Sequence, residues 1–279
     1  MENKYYIEYV KRNLRKCQLK QLDILVEIDR ICKKHNIVYW LDGGSILGAV
    51  RHGGFIPWDD DIDLGMRQED LDRFVEVAQT ELPSHLFLQT KDSDPGQKEP
   101  IVKIRDLNSL YIEDTDVFSV DYQKGLFVDI FPFVDYPKVS RGLAHDILKG
   151  LSVSHSILHR QHYYSWKSFA EFFYFGMKNV VLNSLWKILS CVMPDSDYMG
   201  NIPINNGYGI MHRKDSVFPV SDIQFEGMSF SAPSNPDAYL KDLYRNYMDV
   251  PPPEKRRIHA IFVAPQLLSE SECGGESDK

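Results

Sequence analysis

"LDGGSILGAVRHGGFIPWDDDIDLGM", residues 41–66, decides how the rest of the chain is read. Four aspartates, Asp59, Asp60, Asp61 and Asp63, crowd into it beside Trp58, with Ile62 and Leu64 interleaved. The alternation of apolar and acidic residues predicts a strand over 60–65. Side chains at i and i+2 of a strand share a face. Asp61 and Asp63 therefore point the same way, Asp59 joins them at the strand's start, and Asp60 points away. Neighbouring carboxylates repel, and burial makes each ionised group more costly. A hard cation between them reverses the balance, and Mg²⁺, or Mn²⁺ in its place, takes such oxygen ligands. The competing reading is an acidic turn on a solvated face, which the apolar neighbours oppose.

Upstream, "IVYWL" (37–41) is β-branched and aromatic and predicts a strand. Gly43, Gly44 and Ser45 follow as a tight turn, with Ser45 positioned to cap a short helix through Arg51. Backbone N–H groups and a hydroxyl at a helix N-terminus form an anion site, and Arg51 is a natural phosphate partner. Downstream, "KGLFVDIFPFVDYP" (124–137) sets Asp129 inside an apolar strand. An ionised aspartate there needs a partner. A metal shared with Asp61 and Asp63 is one, giving a third carboxylate for a two-metal site; an Arg or Lys is the other. Lys103 and Arg105 in "VKIRD" alternate onto one strand face within reach of phosphates.

Further out, apolar periodicity predicts a helix over 14–35 and another over 67–82, ended by Pro83. Short strands are expected at 86–90, 101–105, 110–113 and 126–134, with 91–100 as a loop. This order fits an α+β fold, a mixed β-sheet core flanked by helices. Residues 141–193 are helical and apolar with a narrow polar stripe. They predict a buried helix or hairpin; the alternative is a face lying on a membrane or a lipid-linked substrate. His155, His159 and His162 share a helix face there and read as polar surface.

The 279 residues, 43% of them hydrophobic, suffice for a sizeable core. A net charge of −8 argues against nucleic acid as a partner. Cys17, Cys32, Cys191 and Cys273 show neither zinc nor disulfide spacing. With no signal-like or membrane-spanning run, the expectation is a cytoplasmic protein, with peripheral contact at the inner face of the membrane as an option. The tail, 267–279, is expected to be disordered.

The pattern of strand, Gly-Gly-Ser, D-x-D and a later lone Asp resembles the nucleotidyltransferase superfamily. "DGGSILGAVRHGGFIPWDDDIDLGM" and "KGLFVDIFPF" resemble, more narrowly, the LicD family of phosphorylcholine transferases, relatives of the fukutin-related proteins. "FEGMSFSAPSNPDAYLKDLYRNYMDVPPPEKR" (225–256) is similar to that family's C-terminal block. The likeness covers roughly residues 20–135 and 217–260; the mainly helical acceptor or accessory region between them, 138–216, matches no motif of the family. The resemblance implies a nucleotidyltransferase-like core over 1–137 and a C-terminal part over 217–266. It also implies a reaction: a phosphoalcohol group passes from a CDP-alcohol such as CDP-choline to a hydroxyl of a glycan or lipid-linked glycan, releasing CMP. By position Asp61, Asp63 and Asp129, with Asp59, match the metal-binding carboxylates, and Gly43, Gly44 and Ser45 the phosphate turn. Trp58 or Tyr39 would stack on a base or a quaternary ammonium if not part of the core. The family often carries Gly-Asp where this chain has Arg245 and Asn246, which points to a different acceptor. Two other readings keep the fold: transfer of a nucleoside monophosphate from an NTP to a small hydroxylated acceptor, and an inactive nucleotide-binding module.

Overall fold

The odd- and even-numbered residues of one short strand separate site from core. In the computed structural model, which describes residues 4–97, 99–114, 116, 120–159, 165–244 and 246–267, that strand is β2, Asp63–Arg67. Ile62, Leu64 and Met66 are fully buried on one side, whereas Asp63 stays partly accessible on the other.

The chain opens with α1 (Lys4–His35), then β1 (Tyr39–Leu41), α2 (Gly43–His52), β2 and α3 (Gln68–Glu81). Strands β3 (Leu86–Gln89), β4 (Val102–Asp106), β5 (Leu110–Glu113) and β6 (Phe127–Pro137) follow. A helical hairpin, α4 (Arg141–His159) and α5 (Trp166–Val192), leads into β7 (Asp195–Asn201) and β8 (His212–Arg213). The last part holds α6 (Lys214–Val217), β9 (Ser221–Phe225), β10 (Met228–Ala232), α7 (Pro236–Tyr244) and β11 (Ala260–Ala264).

The main sheet runs β1-β2-β6-β4-β3, with β7 paired to β6 and β8 to β7. β2 and β6 are parallel, and their partners are antiparallel. This is the mixed sheet in an α+β setting that the sequence predicts. β6 continues to Pro137, beyond the expected 134, because its second half gains a new partner in β7. Residues of α1 (Ile24, Leu25, Ile28, Ile31) and α3 (Leu71, Phe74, Ala78) join Leu64, Met66, Ile104, Val128 and Ile130 of the sheet in one core.

Three elements depart from expectation. α1 starts at Lys4, ten residues before the predicted 14. Val10 and Cys17 bury against Ala260 and Val263 of β11 and Tyr111 of β5, partners that local periodicity cannot reveal. β2 starts at Asp63 and not at 60, because α1 claims the preceding carbonyls. Gln18 Nε2 donates to Asp59 O (2.8 Å) and Gln21 Nε2 to Asp60 O (2.8 Å). Asp61 thus precedes the strand it was expected to lie in, and its alternation with Ile62 persists, Ile62 O accepting from Asp129 N of β6 at 2.8 Å.

The third departure is α5. It is not a buried helix: Trp186 is its one buried residue among those described. Trp186 packs edge-on against Tyr136 of β6 with ring centroids 5.0 Å apart, in a small cluster with Leu148 and Leu151 of α4. His155 and His159 lie together on α4, rings 3.9 Å apart, and burial and His159 push the His155 pKa down to about 4. His162 and the tail from 268 lie outside the described residues.

Because Trp186 is the buried residue of α5 in a cluster that α4 also fills with Ala144, Ile147, Leu148 and Leu151, Trp186→Ala is expected to cost about 3–5 kcal/mol locally. Hydrogen exchange should show faster amide exchange across 141–192 while residues of β2 and β4 keep their protection. Uniform loss of protection over the chain would contradict a separately fastened hairpin.

Candidate active site

The parallel register of β2 and β6 sets Asp63 opposite Asp129, and the antiparallel register of β6 and β4 sets Asp129 opposite Lys103. Neighbours in register present their side chains on the same face. A row of carboxylate, carboxylate and ammonium therefore crosses the middle of the sheet. Lys103 Nζ lies 2.9 Å from Asp129 Oδ1 and 3.0 Å from Oδ2, and 3.1 Å from Glu99. The lysine alternative for Asp129 is thus present in the structure. Lys103 is engaged by carboxylates, not displayed for a phosphate. Burial pushes its pKa down, but Asp129 and Glu99 outweigh that and hold it raised.

The start of α2 stands over this row. Asp42 caps it, its side chain accepting from Gly43 N at 2.7 Å, so the cap is Asp42 and not Ser45. Tyr239 donates to Asp42 Oδ1 at 2.6 Å and receives Trp40 Nε1 at 3.1 Å, fixing the cap from below. Ser45 lies inside the first turn and accepts from Asp63 N at 2.9 Å, which ties helix to strand. Gly43 has φ +51°, and a Cβ there would overlap the Asp63 carboxylate. A Cβ on Gly44 would overlap Asp59 Oδ2. The two glycines let carboxylates approach the positive end of the helix, which stabilises them there.

The acidic run divides its labour as the sequence implies for Asp60. It is buried and accepts from Tyr111 Oη (2.8 Å) and Ala260 N (2.7 Å), pinning β5 and β11. Burial pushes its pKa up, but bonds from His259, Ala260 and Tyr111 outweigh this and hold it low. The others are unbalanced. Burial, then Asp60, raises Asp59 to about 6. Asp61 is pushed well up by burial and by Asp59, Asp60 and Asp129. Asp63 is pushed well up by burial and by Asp61, Asp129, Asp42 and Asp59. Burial also leaves Asp129 raised despite Lys103. Two carboxylates about 4 Å apart repel by roughly 4 kcal/mol at an effective dielectric constant of about 20. A set of this kind favours a proton or a cation. Its all-oxygen chemistry matches a hard divalent ion and not a soft one.

Arg51 and Arg105 are occupied elsewhere. Arg51 donates to the carbonyls of Tyr247 (2.8 Å) and Asp249 (3.3 Å), holding the loop after α7. Arg105 is buried, bonded to Gln89 (2.6 Å) and to Gly125 O (2.7 Å). Tyr39 is core, its hydroxyl donating to Asp29. Trp58 is half-buried near the carboxylates, with the Arg256 guanidinium 4.3 Å above its ring.

Two residues that the sequence reading missed reach the cluster from the C-terminal part. Tyr244, at the end of α7, has its hydroxyl pKa raised by burial and by Asp63, Asp42, Asp59 and Asp61. His259 lies 3.4 Å from Asp60 and 3.8 Å from Asp61, and Asp60 above all raises it to about 9, so it is a cation at neutral pH. Asp60, Asp61 and His259 can together present ligand atoms within 4.8 Å of one another. Asp60 is already saturated by main-chain and tyrosine donors, which weakens it as a ligand. Asn246 lines a shallow cleft with Asp237, Lys241 and Tyr247, and Arg245 lies outside the described residues.

A mixed sheet bearing paired aspartates beside a Gly-Gly helix start is consistent with a nucleotidyltransferase-like core. Residues 36–186 match the family described as LicD/FKTN/FKRP, nucleotidyltransferase domain, and the chain belongs to that family. It is 28% identical over 270 residues to the lipopolysaccharide cholinephosphotransferase LicD of Haemophilus influenzae, covering 90% of this chain and 97% of that one. It is 38% identical over 102 residues to the human and mouse ribitol 5-phosphate transferase FKRP, covering 36% of this chain but 17% of theirs.

Gly43→Ala and Lys103→Met test this construction. The first adds a methyl group into Asp63 at a positive φ and is expected to destabilise by about 1–3 kcal/mol. The second leaves Asp129 buried without its cation and is expected to cost about 3–5 kcal/mol. Urea denaturation measures both; a stability equal to wild type in either variant would contradict the packing described.

Proposed function

We propose that this protein moves a phosphoalcohol group from a CDP-activated alcohol to a hydroxyl of a cell-surface glycan precursor. The observation that carries the reading is the in-register pair Asp63 and Asp129, flanked by Asp59 and Asp61 at the N-terminus of α2. The relatives support the transferred group's class, since by name one handles choline phosphate on lipopolysaccharide and the other ribitol 5-phosphate.

In the reaction, the acceptor oxygen bonds to the phosphorus bearing the alcohol. The bond from that phosphorus to the bridging oxygen breaks, and its electron pair leaves with CMP. The acceptor proton passes to a carboxylate, which we assign to Asp129. Lys103 opposes the upward push of burial on Asp129 without cancelling it, which leaves the carboxylate receptive to a proton. Asp61 and Asp63, with Asp59 beside them and Asp129 across the strand pair, would hold Mg²⁺ or Mn²⁺. Bound there, such an ion would supply charge neutralisation to the diphosphate and the leaving phosphate. The Gly43 N–H is held by the Asp42 cap, so the helix start would add the Gly44 N–H and its positive end to the same charge. Tyr244 and His259 bring the 217–266 part to the site, and Trp58 offers a ring at its edge. Alignment of the two oxygens supplies much of the remaining acceleration.

The decisive assay offers purified protein CDP-choline, CDP-ethanolamine, CDP-ribitol and CDP-glycerol with Mg²⁺ and a glycan extract as acceptor. CMP release from one of them is expected, abolished by chelation and lowered about a thousandfold or more in Asp63→Ala, the loss of several kcal/mol of charge stabilisation. Pyrophosphate release from CTP or ATP would replace the proposal by nucleotidyl transfer. Turnover that survives both chelation and Asp63→Ala would refute the mechanism.

A further inference from the structure

Helix α5 leaves a long apolar face uncovered. Trp166 at one end is 87% exposed and Val192 at the other 74%, with Phe169 and Phe173 at 66% between them. Tyr174, Met177, Val180, Val181 and Ile188 are exposed as well. At roughly 100° per residue these fall in one stripe about 140° wide, centred opposite the Trp186 side that meets α4 and β6. Ser184 is the polar residue within it.

The charges are arranged around the stripe. Lys167 and Lys178 lie along one border and Lys187 along the other. Across α4 and α5, Arg141, Lys149, Lys167, Lys178 and Lys187 face Asp146 and Glu171, five cations against two anions, in a chain of net charge −8. An aromatic and aliphatic face bordered by lysines is the pattern of a helix lying in a bilayer interface. Long lysine stems run beside the apolar surface and place their ammonium groups at the headgroups. No described helix is long and apolar enough to cross a membrane, so the helix would lie along the surface. A second copy fits less well, because two net-positive hairpins would meet face to face.

We propose that the α5 face docks this protein onto an anionic lipid surface. The inference rests on the hairpin and goes beyond the transfer reaction. It places the catalytic core beside a bilayer, where a lipid-linked acceptor would be met.

Flotation of the full chain with vesicles tests it without reading turnover. Binding is expected to phosphatidylcholine vesicles containing about a third phosphatidylglycerol, weakening with salt, and not to phosphatidylcholine alone. The triple variant Phe169→Gln, Phe173→Gln, Val180→Gln should lose binding while keeping its circular dichroism spectrum. Lys167→Gln, Lys178→Gln, Lys187→Gln together should weaken it on the order of a hundredfold, at about fivefold per lysine. No binding to anionic vesicles, or binding unchanged in the apolar triple, would overturn the proposal. So would a dimer in light scattering that the apolar triple dissociates while wild type ignores vesicles, since the face would then belong to a second copy.

Discussion

Repulsion among carboxylates is the constraint around which this molecule is organised. The parallel pairing of β2 with β6 forces Asp63 and Asp129 side by side, and the approach to β2 adds Asp59 and Asp61. Each ionised group makes the others harder to ionise. Several features nearby relieve that cost. α2 begins with two glycines, so its positive end meets Asp59 and Asp63 without a Cβ in the way. Ser45 bonds the amide of Asp63. Lys103 enters from the other flank to pair with Asp129. What remains unbalanced is accessible to ligand, and an oxygen-rich, electron-rich cluster of this kind is suited to divalent cations and the phosphates they carry.

Asp60 shows how the same run can be structural one residue away from the candidate site. Its side chain points opposite to its neighbours and accepts from Tyr111, His259 and Ala260. Those bonds hold β5 and β11 against the base of the site. They also deliver His259, whose positive charge faces Asp61. The C-terminal part is thus fastened to the catalytic segment by the acidic run itself. Changes far along the chain therefore reach the carboxylates without any residue of the D-x-D pattern being altered.

The site's nucleus was legible in the sequence because its signals are local. Alternation of Ile62 and Leu64 with the aspartates needs only the strand period, and Asp129 stands out because its neighbours are apolar. Lys103 and Arg105 were placed on the right face, but their partners were not readable: which charge a lysine meets depends on strand order, and β4 joins β6 only in the folded sheet. Arg51 appeared free for phosphate for the same reason, since the carbonyls it holds lie some two hundred residues on. Tyr244 and His259 carry no local signature at all. The glycine pair was read for the N–H groups it offers, whereas in the fold its lack of side chains matters as much.

The apolar middle illustrates a different limit. Periodicity tells which residues of a helix share a face and says nothing of what covers that face. α5 has enough apolar surface for a buried helix, yet the sheet supplies contact for one side alone, through Tyr136 on Trp186. Tyr136 lies seven positions after Asp129 on the same strand, about 23 Å at the rise of an extended chain. One continuous strand therefore carries a carboxylate of the candidate site near its beginning and a contact of an exposed hairpin near its end. The strand pairs in turn with β2, β4 and β7, with a register shift between Asp135 and Pro137 where Tyr136 sits, so the hairpin's seat and the carboxylates share one strand. Whatever holds the hairpin also sets the position of the site. A bilayer contacting α5 would act on catalysis by bringing the site to its acceptor, with no rearrangement of the aspartates required.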